Sequence, residues 1–242
     1  MSFVPKLCQL VHSRPVRPCP AASRKRLGGA DAEHARVPAA RTWILVLLCL
    51  VLPLAVFAVV AAQVARDGTP RWDRSILRFA YAHEHDGGVW RLANAWVEPA
   101  SRPIVVGIVV ALAVVLLAYR VPRRVVFVVA SLGAALALEA ALKHAFAREA
   151  LYEGASSYSF PSGHTMAATA LAAAAAYVLP RAWLRAAAAI VGGAWAAEVG
   201  VSSVVQHNHY PSDVVGGWSA ALAAVTALWL LSRTRIDGVR DD

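Results

Sequence analysis

Residues 159–179 read SFPSGHTMAATALAAAAAYVL, and this junction between a polar turn and an unbroken apolar run decides the fold. The run from Thr165 to Leu179 carries no charge and is rich in alanine, the strongest helix former. Pro161 suits a first helical turn, because the amide hydrogen it lacks would have had no partner there. Ser162 contributes a hydroxyl and Gly163 a backbone free of side chain, next to amides that a helix start leaves unpaired. Such a start attracts anions, phosphate above all. His164 then places a proton donor or acceptor beside that anion. Taken alone, the six residues Ser159 to His164 also describe an ordinary helix N-terminus that happens to carry a histidine.

Outward from this junction the chain repeats the same alternation. Hydrophobic residues make up 58% of the 242 and charged residues 16%, against about 25% charged in soluble proteins. The apolar residues cluster in long blocks, as in a membrane protein. The net charge of +9 would also fit a nucleic-acid binder. Its basic residues, however, sit between apolar blocks and in the N-terminal stretch, where they read as topology signals at a membrane surface, and no nucleic acid is expected. Cys8, Cys19 and Cys49 form no CxxC pair, so neither a disulfide framework nor a metal site is expected. Residues 1–41, rich in arginine and proline, lack the apolar core of a cleaved signal peptide and are expected to be a disordered basic cytoplasmic tail.

The fold expected is all-α: a polytopic membrane protein whose residues 42–232 form a six-transmembrane helix bundle, followed by a short cytoplasmic tail, 233–242. The spans fall at 42–62, 103–118, 125–142, the alanine-rich run to Leu179, 186–205 and 214–231. Between the first two, Ile76, Phe79 and Ala80 recur at helical steps among Trp72, Trp90 and Trp96. That pattern suits an interfacial helix with tryptophans at headgroup depth, or else a solvated loop. Six spans put alternate connections on one side. Most of the 24 Lys and Arg then share a side with both termini, which makes that side cytoplasmic. The polar loop from Lys143 to Ser162 and the loop from Gln206 to Asp213 fall together on the outer face.

The second of these loops reads Gln206-His207-Asn208-His209-Tyr210-Pro211-Ser212-Asp213. Pro211 biases Tyr210 away from helix, so His209 belongs to the loop and Asp213 to the first helical turn. A carboxylate four residues on can take the N–H of one imidazole nitrogen and turn the other outward, as in catalytic triads. Asp213 as a plain helix-start acid is the alternative. Lys143 could merely snorkel to the interface. With His144 and Arg148 in its loop, facing a phosphate-receptive helix start, anion binding is the stronger expectation.

Lys143, the turn Phe160-Pro161-Ser162-Gly163-His164, and the run His209-Tyr210-Pro211-Ser212-Asp213 followed by Gly216-Gly217-Trp218 resemble the phosphatidic acid phosphatase type 2 superfamily, in its membrane lipid phosphatase branch. The resemblance covers roughly residues 73–231. It implies that His209 attacks phosphorus to form a phosphohistidine, with Asp213 holding its ring and His164 protonating the leaving group. It implies Lys143, Ser162 and the Gly163 amide as phosphate ligands, and neither metal nor cofactor. Three positions depart from it: Ala150 and Leu151 stand where an arginine and a proline are usual, and Ser203 where an arginine is. Arg148, in the loop, and Gln206 or His207, near Ser203, are candidates to compensate. The expected function is hydrolysis of a lipid phosphate or diphosphate, isoprenoid or glycerolipid, at the outer membrane face. A head-group phosphotransferase is the second expectation, since related transferases keep the two histidines and the aspartate without those arginines. The third is a catalytically degenerate relative that binds phospholipid.

Overall fold

Alanine explains the centre of the bundle. The computed structural model describes residues 43, 44, 46–82, 87, 88, 91, 102–151 and 158–236. Within them lie seven helices: α1 (Leu47–Asp67, its first turn, Leu47–Val51, π-helical), α2 (Arg71–Ala82), α3 (Arg102–Ala118), α4 (Pro122–Phe146), α5 (Gly163–Val178), α6 (Ala182–Val205) and α7 (Pro211–Ile236). No strand occurs among the described residues. Helix α5 packs against α4, α6 and α7. Small side chains allow this: Ala168, Ala170 and Ala174 are fully buried, and Ala172 lies so close to α6 that a β-carbon on Gly192 would come within 2.7 Å of its methyl.

Four helices, α1, α4, α6 and α7, are long and apolar enough to cross a membrane. Helices α3 and α5, at 17 and 16 residues, are shorter. The six matched spans expected from sequence are therefore four full-length helices and two shorter apolar ones. A 16-residue helix rises about 24 Å, less than the roughly 30 Å of a hydrocarbon core. Neighbouring helices cover most of α5. Elsewhere large apolar side chains point outward, Val126, Ile190 and Leu231 among them, which suits a lipid-facing surface.

Helix α2 forms where an interfacial helix was expected, but a different face is covered. Asp73, Leu77 and Ala80 are buried while Ile76 and Phe79 point out. Trp90, Trp96 and the expected tail 1–41 lie outside the described residues, as does 237–242 of the expected tail 233–242, whose first four residues continue helix α7 instead. At the C-terminal end of α5 two basic residues from the expected inner turns meet: Arg124 donates to the Val178 carbonyl at 2.8 Å and Arg185 to that of Leu179 at 3.2 Å. The polar turn quoted above occupies the other end of the same helix.

Two glycines let α7 close on this turn, and a third, Gly200, lets α6 close on α7. A β-carbon on Gly216 would meet Phe160 Cε2 at 2.5 Å, one on Gly217 would collide with Thr165 Oγ1 and reach the Ser162 carbonyl oxygen at 2.9 Å, and one on Gly200 would strike the Trp218 ring. Gly217→Ala is expected to destabilise the protein by about 1–3 kcal/mol through overpacking. Gly107→Ala, with open space at its β-position, should leave the unfolding midpoint in detergent unchanged or slightly raised.

Candidate active site

A buried arginine organises the polar end of the bundle. Helix α4 ends at Ala147, whose left-handed backbone (φ 45°) turns the chain back so that Arg148 enters the interior with 7% of its surface exposed. Its Nη2 donates to Asp73 Oδ2 at 2.9 Å, and its Nη1 to Asp213 Oδ1 at 2.6 Å and to Ser212 Oγ at 2.7 Å. The guanidinium also stacks on the Tyr210 ring, 3.8 Å from its centroid. Asp73, fully buried in the first turn of α2, accepts from the Ser212 amide at 2.8 Å and from the Ser212 hydroxyl. Three elements distant in sequence, α2, the loop after α4 and the start of α7, are thus tied by two salt bridges.

Asp213 is the common member. Its Oδ2 accepts from the Ser159 hydroxyl, from the Tyr210 amide at 3.0 Å and from His209 Nδ1 at 3.4 Å. The last contact is long for a hydrogen bond. It nevertheless fixes which nitrogen meets the carboxylate, leaving Nε2 as the one turned away. The Asp213 carbonyl accepts the Ser162 amide at 3.0 Å, so the turn before α5 and the start of α7 are bonded directly.

The position of His209 follows from how α6 stops. The amides of His207 and Asn208 reach the carbonyls of Val204 and Ser203 at 3.0 and 2.9 Å, and His207 takes a left-handed φ of 58°. This is a Schellman ending with a histidine where glycine is commonest. Ser203 takes part through its carbonyl, which also accepts the His209 amide at 3.2 Å; its own hydroxyl bonds back to Val199 at 2.7 Å.

Of the residues singled out in the sequence, Ser162, Gly163, His209 and Asp213 come together through these bonds, and Arg148 joins them from beneath. His164 is exposed on the first turn of α5. Lys143, in the last turn of α4, pairs with Glu139 at 3.0 Å. Arg148 differs from expectation: both terminal nitrogens engage carboxylates and a serine, so it braces Asp213 from within the fold. His144 is exposed, edge-on to Tyr158. Of the two candidates near Ser203, Gln206 accepts from Asn208 at 2.9 Å and His207 stacks on Tyr81. Leu151 joins an apolar cluster with Leu77, Val204 and Val214. Ser162 is fully buried, and its hydroxyl has no protein partner. Among the described residues no group of three or more His, Cys, Asp or Glu is arranged to hold a metal ion.

Sequence reading missed Asp73 and Glu139. Asp73 stands among Arg71, Arg74 and Arg78 and looks like one charge of a solvated face. Glu139 carried a usable signal, since it precedes Lys143 by four residues on one helix, the spacing of an ion pair.

The sequence model of the PAP2 superfamily matches residues 124–237, the stretch that holds every site residue except Asp73. Among solved structures the fold matches that of the first transmembrane PAP2-type phosphatidylglycerolphosphate phosphatase from Bacillus subtilis, with a TM-score of 0.66 and 21% identity over 78% of this chain and 97% of that one. No curated protein sequence matches. The fold is thus shared with that transmembrane structure, and the helices are those of a multi-pass membrane protein.

Asp73→Asn leaves the buried guanidinium short of a counter-charge. It is expected to cost about 3–5 kcal/mol, read as a lowered unfolding midpoint in detergent.

Proposed function

We propose, from the PAP2-type region at residues 124–237 and the site it holds, that this chain is a metal-independent membrane phosphatase acting on a lipid phosphate or diphosphate, isoprenoid or glycerolipid, through a phosphohistidine. The observation that carries this reading is the pairing of His209 Nδ1 with Asp213, on a helix start bonded directly to the Ser162–Gly163 turn.

The chemistry assigns one role to each group. His209 Nε2 attacks phosphorus in line while the bond from phosphorus to the leaving oxygen breaks, and His164 donates the proton that oxygen needs. Water then attacks the phosphohistidine, gives a proton to His164, and phosphate leaves with His209 restored. Asp213 holds the imidazole and balances its charge when nitrogen becomes bonded to phosphorus. Lys143, the Ser162 hydroxyl and the Gly163 amide hold the equatorial oxygens, where charge stabilisation matters most. A buried hydroxyl without a protein partner suits a donor reserved for a ligand. Arg148 acts on the substrate through Asp213.

The proposed site faces outward. Supporting this, Arg124 and Arg185 gather at the end of α5 opposite the site, as basic turns on the cytoplasmic side would.

A second reading, phosphoryl or head-group transfer to an alcohol, draws on Ala150 and Ser203, which remove two arginine positions, and on the enclosure of Arg148 between Asp73 and Asp213. The same intermediate serves both, differing only in what attacks it.

The purified protein in detergent, without added metal, is expected to release phosphate from a lipid phosphate; phosphatidylglycerolphosphate is the first to try, given the Bacillus neighbour. His209→Ala should abolish release by a factor of about 10³ or more, and Ser162→Ala should lower turnover about 10²-fold. Product formed only when an acceptor alcohol is present would establish the transferase, and silence on every lipid phosphate would leave a binding protein.

A further inference from the structure

Glu139 is a charged group at this end of the bundle that the mechanism above leaves without a role. Its carboxylate accepts the Lys143 ammonium at 3.0 Å, with 18% of the side chain exposed. The same carboxylate lies against the first residue of α5. A β-carbon on Gly163 would collide with Oε1 and come within 2.6 Å of Cδ and 2.8 Å of Oε2. A helix N-terminus favours an anion at that spot, and here the anion is the protein's own. Beside it, Ser162 caps the helix with a buried hydroxyl that no protein atom satisfies.

The charges at this end sharpen the point. Lys143 faces Glu139, and Arg148 faces Asp73 and Asp213, so two cations stand against three carboxylates. An incoming phosphate therefore meets no unengaged lysine or arginine among these five groups. To reach Lys143 and Gly163 it must first move Glu139.

We propose that Glu139 is a specificity-determining residue of the oxyanion cradle, its carboxylate occupying the place beside Gly163 and Lys143 that a substrate phosphate must take. This rests on the phosphatase reading above and adds a filter to it. A soluble oxyanion has to displace the carboxylate with headgroup contacts alone. A lipid phosphate arrives confined to the bilayer, at raised effective concentration, and its tail adds apolar burial. Glu139 thereby favours lipid-anchored phosphates over free ones, the released product included.

Inorganic sulfate tests this apart from turnover, because it is a tetrahedral dianion that cannot form a phosphohistidine or be hydrolysed. The full-length protein in detergent, titrated with sulfate at constant ionic strength and followed by calorimetry, should bind roughly tenfold or more tightly as Glu139→Gln than as wild type. Glu139→Ala should behave likewise, and adding Lys143→Gln to Glu139→Gln should remove the gain. In parallel, Glu139→Gln should lower KM for a water-soluble phosphate monoester more than for a long-chain lipid phosphate. Equal sulfate affinity in wild type and Glu139→Gln, absence of sulfate binding by both, or a gain that survives loss of Lys143 overturns the proposal. Wild-type hydrolysis reports separately on the phosphatase reading. Tighter sulfate binding without any hydrolysis would end that reading and leave Glu139 as the occupant of the cradle, whereas hydrolysis with unchanged sulfate affinity would do the reverse.

Discussion

A guanidinium buried away from water is tolerated only with its charge and hydrogen bonds answered, and at Arg148 the answer comes from two other elements. Asp73 on α2 and Asp213 on α7 are each fully buried, so neither can be withdrawn cheaply once the arginine is in place. The three residues fix where α2 lies, where the loop after α4 returns and how α7 begins. Because Asp213 also receives His209, Ser159 and the Tyr210 amide, the same constraint that holds the fold sets the orientation of the imidazole. The geometry of the candidate site is a by-product of satisfying a buried charge.

Helix α5 gives the bundle its polarity. Its alanine faces admit α4, α6 and α7 at close range, and its two ends are chemically opposite: a helix start with Ser162 and Gly163 at one, carbonyls bonded by Arg124 and Arg185 at the other. The glycines at 200, 216 and 217 serve the same end. Without them α7 would stand away from Phe160 and Thr165, and the bond from the Ser162 amide to the Asp213 carbonyl would be stretched or lost.

The electrostatics of this end differ from those of an open anion trap. Ala150 and Ser203 bring no charge, Arg148 is enclosed by carboxylates, and Lys143 is held by Glu139. What remains for an oxyanion is a helix start, a hydroxyl, two histidines and a lysine whose partner must step aside. Such a site depends on its ligand being delivered, which for a membrane protein is the natural circumstance of a lipid.

The sequence by itself determined the membrane character, the helical class and the two polar runs, because apolar blocks of spanning length, proline before a helix and glycine beside serine act through local chemistry. The pairing of His209 with Asp213 was likewise legible, since four residues across a loop-to-helix junction is a short reach. Only the tertiary structure decided which charges are free. Arg148 read as a phosphate ligand and Asp73 drew no notice, yet folding places them 2.9 Å apart, 75 residues distant along the chain. Long-range ion pairs leave no periodic trace, and a short helix such as α5 is buried by its neighbours, which its own sequence does not name.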